Sequence, residues 1–108
     1  MSSVDFVRVA KVADVVVGSA TTVFVSGREV ALFNVDGTFY AIENRCPHQG
    51  AALAEGYVEG TIVTCPWHAW SFRLTDGKMT LAAFASVDAY DVRIEDDSVF
   101  VSSEPRLP

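Results

Sequence analysis

Cys46-Pro47-His48 and Cys65-Pro66-Trp67-His68 each join one thiol to one imidazole, with 16 residues between His48 and Cys65. These four side chains are every Cys and every His in the 108-residue chain. Thiolate and neutral imidazole are the side chains best suited to iron or zinc. Chance would not place all four in two matched, Pro-containing loops, so the loops read as one metal site.

The pattern within each loop bears on which metal. Zinc modules commonly group Cys with Cys and His with His. Here each loop carries one of each, which suits a binuclear cluster with two thiolates on one iron and two imidazoles on the other. A structural zinc-binding interaction module is the alternative from another class.

The elements that must position these loops read as all-β. Val4 to Val9 is a β-prone stretch, and Lys11 to Val15 is a single helical turn or a loop. Thr21 to Val25 and Glu29 to Asn34 join at Ser26-Gly27, and Asp36-Gly37 carries the type I′ hairpin signal. This three-strand meander leads directly to Cys46. Beyond it, Gly56 and Gly60 flank an expected turn around Tyr57 to Glu59, Thr61 to Thr64 is a short strand, and Trp70 to Leu74 could be another. Leu81 to Ser86 is strand or loop. Val87 to Glu95 alternates as one strand, with Tyr90, Val92 and Ile94 on a common side. Asp96 to Ser98 turns into Val99 to Ser102, and the tail from Ser103 is expected to be loose. The chain is read as one domain, 1–108: a base of residues 1–42 and 76–108 holds a cluster-binding insert of about 43–75.

On the two loops the chain resembles the Rieske family, and the resemblance extends over the meander, the Glu55-Gly56 region, the Asp76-Gly77 turn and the terminal hairpin. It implies a Rieske fold, an antiparallel β-sandwich or barrel-like base with a small inserted subdomain. It also implies one [2Fe-2S] cluster, with the inner iron held by Cys46 and Cys65 and the outer iron by His48 and His68 through Nδ1. Two departures are informative. High-potential respiratory members staple their loops with a disulfide, where this chain has Ala51 and Trp67. They also place Ser and Tyr hydroxyls against cluster sulfur, where this chain has Trp70 and Phe72. Fewer hydrogen bonds to sulfur stabilise the reduced cluster less, so a low potential is expected. Ala69 replaces the usual Gly after the second His and casts little doubt on ligation.

Composition narrows the function classes. Eight Lys plus Arg against 14 Asp plus Glu give a formal charge of −6, which argues against nucleic acid and anionic membranes as partners. No apolar run is long enough to span a bilayer, and the N-terminus does not read as a signal peptide, so a cytoplasmic location is expected. No Gly-rich dinucleotide fingerprint and no spare His for an iron oxygenase site are present. The chain therefore reads as an electron-transfer component and not itself an enzyme. The resemblance implies a ferredoxin fed by an NAD(P)H-dependent flavoprotein reductase and emptied by a terminal oxygenase. The alternative within the same chemistry is the small subunit of a cytoplasmic NAD(P)H nitrite reductase, with that enzyme's large subunit as acceptor.

Overall fold

The computed structural model describes residues 5–46, 51–66, 70–80 and 86–106. Ten strands in three antiparallel sheets account for most of them: β1 (Phe6–Lys11), β2 (Ala20–Val25), β3 (Arg28–Val35), β4 (Thr38–Glu43), β5 (Tyr57–Glu59), β6 (Ile62–Thr64), β7 (Ser71–Arg73), β8 (Ala89–Tyr90), β9 (Val92–Glu95) and β10 (Ser98–Ser102). The sheets run β1-β10-β9, β2-β3-β4-β8 and β5-β6-β7.

The β2-β3-β4-β8 sheet is the middle layer, because successive residues of its strands enter different cores. Val30 and Leu32 of β3, Ala41 of β4 and Tyr90 of β8 pack with Val99 and Val101 of β10. Their neighbours Ala31, Phe33, Ile42 and Ala89 pack with Cys46, Leu53, Val63, Phe72 and Cys65. β3 is thus covered on both faces, and its residues Val30 to Phe33 are at most 1% exposed. Burying each such Val, Leu or Phe side chain contributes about 1.5–3 kcal/mol. A strand buried on both faces needs a continuous apolar run, and Val30-Ala31-Leu32-Phe33 supplies it.

The turns behave as their residues dictate. Asp36 and Gly37 have φ of 53° and 91°, and Val35 pairs with Thr38 across them, as a type I′ turn requires. The Lys11 to Val15 stretch resolves into one 3-10 turn, Val12–Asp14.

Three expectations are corrected. Tyr57–Glu59 is strand β5 paired with β6, and the turn falls at Gly60 and Thr61. Val87 to Glu95 is not one strand. It breaks at Asp91, where the chain passes from the middle sheet, with β8 on β4, to the outer one, with β9 on β10. Both faces of β8 are therefore buried, while Ile94 of β9 stays 45% exposed. The tail is also pinned as far as Arg106, the last described residue. Ser103 N–H donates to the Asp5 carbonyl at 2.7 Å, and Arg106 N–H to the Ala89 carbonyl at 2.6 Å. The Arg106 guanidinium reaches the Asp91 carboxylate at 2.9 Å and the Thr75 carbonyl at 2.7 Å. Of the ambiguous stretch Leu81 to Ser86, residues 81–85 lie outside the described residues and Ser86 is in no strand.

Candidate metal centre

The second loop is the tip of a hairpin. β6 and β7 pair Ile62 with Arg73, Val63 with Phe72 and Thr64 with Ser71. One residue further on, Cys65 N–H donates to the Trp70 carbonyl at 2.9 Å and closes the loop. The first loop extends β4. Arg45 bridges Ala52, and Cys46 N–H donates to the Ala51 carbonyl at 2.9 Å. Each loop therefore closes from its Cys to the fifth residue on, although the Cys-to-His spacings differ. Both Cys amides donate to the carbonyl that closes their own loop.

Cys46 is fully buried and Cys65 is 2% exposed. They enter one apolar cluster with Ala51, Leu53, Val63 and Phe72. His48 and His68, like Pro47, Gln49, Gly50, Trp67 and Ala69, lie outside the described residues. Of the four sequence-predicted ligands, the structure thus brings together the two thiols. Two thiols in one apolar core, each on a loop that bears an imidazole two or three residues later, fit a mixed Cys/His iron–sulfur cluster.

The neighbouring side chains agree with the departures noted in the sequence. Phe72 is fully buried beside the thiols, and Trp70 packs against the same cluster as core. Ala51 fills its position with 2% exposure. Thr64 and Ser71 face away from the thiol side of the hairpin, opposite in pleat to Val63 and Phe72, and their hydroxyls bond each other at 2.8 Å.

Beside the first loop lies a charged cleft of about 490 Å³ lined by Arg28, Glu29, Glu43, Arg45, Asp88 and Tyr90. The Tyr90 hydroxyl sits above its ordinary value of 10.0. Burial raises it and is only partly offset by the hydrogen bond from Arg28, while Asp88 and Glu43 add to the rise. A folded-state value above the unfolded one gives stability that is complete below pH 10 and lost as pH rises through the folded value. Thermal melts above pH 10 are therefore expected to fall more steeply for the parent than for Tyr90→Phe. Parallel curves would refute this.

The chain belongs to the Rieske family: the Rieske [2Fe-2S] domain matches residues 5–91. Among its relatives, the 3-phenylpropionate/cinnamic acid dioxygenase ferredoxin subunit of Escherichia coli K12 is 45% identical over 99 residues, 90% of this chain and 92% of that one. The ferredoxin of carbazole 1,9a-dioxygenase from Nocardioides aromaticivorans superposes with a TM-score of 0.85 at 31% identity, covering 92% of this chain and 98% of that one. A further structure, a complex of reduced oxygenase and oxidised ferredoxin in carbazole 1,9a-dioxygenase, matches with a TM-score of 0.84 at 26% identity over 95% and 97%. The fold alone is shared, at 22% identity and a TM-score of 0.81, with a putative nitrite reductase small subunit, over 90% of this chain and 97% of that one. The first three carry ferredoxins of dioxygenase systems in their names, the class in which the sequence placed this chain. Among the described residues no helix is long and apolar enough to cross a membrane.

Proposed function

We propose that this chain is a cytoplasmic one-electron carrier with one low-potential Rieske cluster, filled by an NAD(P)H-dependent flavoprotein reductase and emptied by a terminal oxygenase. The observation that carries the reading is the meeting of Cys46 and Cys65 in one core, on two loops of equal closure span, in a Rieske-family chain. Cys46 and Cys65 are the ligands of the inner iron, and His48 and His68 of the outer. A bound [2Fe-2S] cluster takes up and gives back one electron at a time.

The chain's own residues supply the rest. Leu53, Val63 and Phe72 exclude water from the thiol side. The base, residues 1–42 and 76–108, carries the insert of about 43–75, a division supported by β5, β6 and β7 all lying within the insert. An acidic chain docks best on a basic patch, which speeds encounter with a protein partner. The ferredoxin identity of the relatives favours an oxygenase as acceptor. The nitrite reductase reading rests on the shared fold. Copurification separates the two: an oxygenase and a reductase for the first, a siroheme enzyme for the second.

Phe72 and Trp70 offer no hydroxyl to sulfur, so the midpoint potential is expected on the order of −150 mV, at the low end for Rieske centres. Redox titration checks this, and a midpoint above about +100 mV on that scale contradicts it. The visible spectrum tests the centre itself: a red-brown oxidised protein supports the reading, and a colourless one returns the site to structural zinc.

A further inference from the structure

The first loop is held in a way the second is not. The second rests on the regular β6–β7 ladder. Among the described residues the first is tied to the middle sheet at Asn44, two residues before Cys46 and 1% exposed. Its backbone N–H donates to the Glu29 carbonyl at 3.1 Å, and its own carbonyl accepts from Leu53 N–H at 2.6 Å. Its side-chain NH2 donates to Glu29 Oε1 at 2.8 Å and to Thr22 Oγ1 at 3.2 Å. Its Oδ1 accepts from Ala54 N–H at 2.9 Å. Both amide hydrogens and the amide oxygen are thereby engaged.

These bonds have a direction. Thr22 and Glu29 belong to β2 and β3 of the middle sheet, whereas Leu53 and Ala54 lie on the limb that returns from the first loop. One amide therefore ties both limbs of that loop to the base. The β6–β7 hairpin reaches the same core through Val63 and Phe72, and β5, which follows the returning limb, pairs with β6. Asn44 fixes the returning limb upstream of that pairing, and so bears on the relative placement of the two Cys ligands.

We propose that Asn44, anchored by Glu29 and Thr22, is a positioning residue for the metal centre, setting the first loop against the second. This rests on the Rieske reading above. Groups that orient ligands typically change metal affinity 10- to 100-fold when lost.

The test compares the cluster-loaded protein with Asn44→Ala. The readouts are the rate of iron loss to a chelator and the EPR g values after reduction, both taken below every variant's melting range. Asn44→Ala is expected to lose iron about tenfold faster or more, with shifted g values. Asn34→Ala is the control. Asn34 is also buried, and bonds the Val15 carbonyl at 2.7 Å and Gly37 N–H at 2.9 Å, on the turn between β3 and β4. It is expected to melt earlier yet keep the parent's iron-loss rate and g values.

A swap adds a rescue. Asn44→Asp sets a carboxylate against that of Glu29 and is expected to lose iron faster. Adding Glu29→Gln restores a donor facing an acceptor, and is expected to return the rate towards the parent's. If Asn44→Ala does not fold, Glu29→Ala with Thr22→Val removes the anchors instead and is read the same way. Iron-loss rates and g values identical to the parent's in these variants overturn the proposal. A parent lacking the iron–sulfur spectrum overturns the Rieske reading itself, which is a separate outcome.

Discussion

Replacing Cys65 with alanine is expected to give a folded, colourless protein that retains no iron after desalting. Cys46→Ala should do the same. Each thiol is at most 2% exposed and packs among apolar side chains. Alanine removes one sulfur atom from that core without adding a polar group. Against the metal-free parent, the folding cost should stay at the low end of large-to-small substitutions, about 1 kcal/mol. Loss of iron then cannot be ascribed to loss of the fold. The measurement is the iron-to-protein ratio beside the thermal melt. An alanine variant that keeps its visible bands would remove that cysteine from the ligand set.

Gly77→Ala is expected to be the most destabilising glycine-to-alanine change among the described residues. Gly77 has φ of +76°, where an L side chain costs about 1–2 kcal/mol. A Cβ there would also run into the Val87 backbone carbonyl. Neither partner is the end of a flexible side chain. The turn is fixed by Gly77 N–H on the Arg73 carbonyl and by Arg73 paired with Asp76, each at 2.7 Å. Val87 is held by its own N–H on the Gly77 carbonyl at 2.9 Å. Forcing them apart adds about 1–3 kcal/mol of overpacking, for a total of about 2–5 kcal/mol.

Two comparisons separate the causes. Gly37 has φ of +91° with nothing within 4 Å of an added Cβ, so Gly37→Ala should lose only the backbone part. At Gly56 the backbone is ordinary, but a Cβ would meet the Thr64 carbonyl just before Cys65, so Gly56→Ala should lose only the steric part. Denaturant melts giving the order Gly77, then Gly56 and Gly37, would bear this out. A neutral Gly77→Ala would show that Val87 yields.

Much of the fold was legible because its signals are local. The Asp36-Gly37 turn needs positive φ at adjacent residues, and that demand is written in the dipeptide. The apolar run of β3 likewise states its own burial. The misreadings fall where tertiary packing overrides pattern. Alternation through Val87 to Glu95 looked like one strand, but a change of sheet at Asp91 is invisible to periodicity. The tail looked loose because Arg106 finds Asp91 and Thr75 only after folding. Asn44 was overlooked because a lone Asn before a Cys resembles any loop residue. Its role depends on Thr22 and Glu29, 22 and 15 residues away.

By itself, the sequence determined the chemistry on offer: two thiols, two imidazoles, their spacing and the lack of hydroxyls at positions 70 and 72. Those are properties of residue type and order. Only the tertiary structure decided that Cys46 and Cys65 share one core, that both loops close over the same span, and that Asn44 carries the first of them. Such facts arise when strands distant in sequence lie side by side, because hydrogen bonds and burial act between neighbours in space.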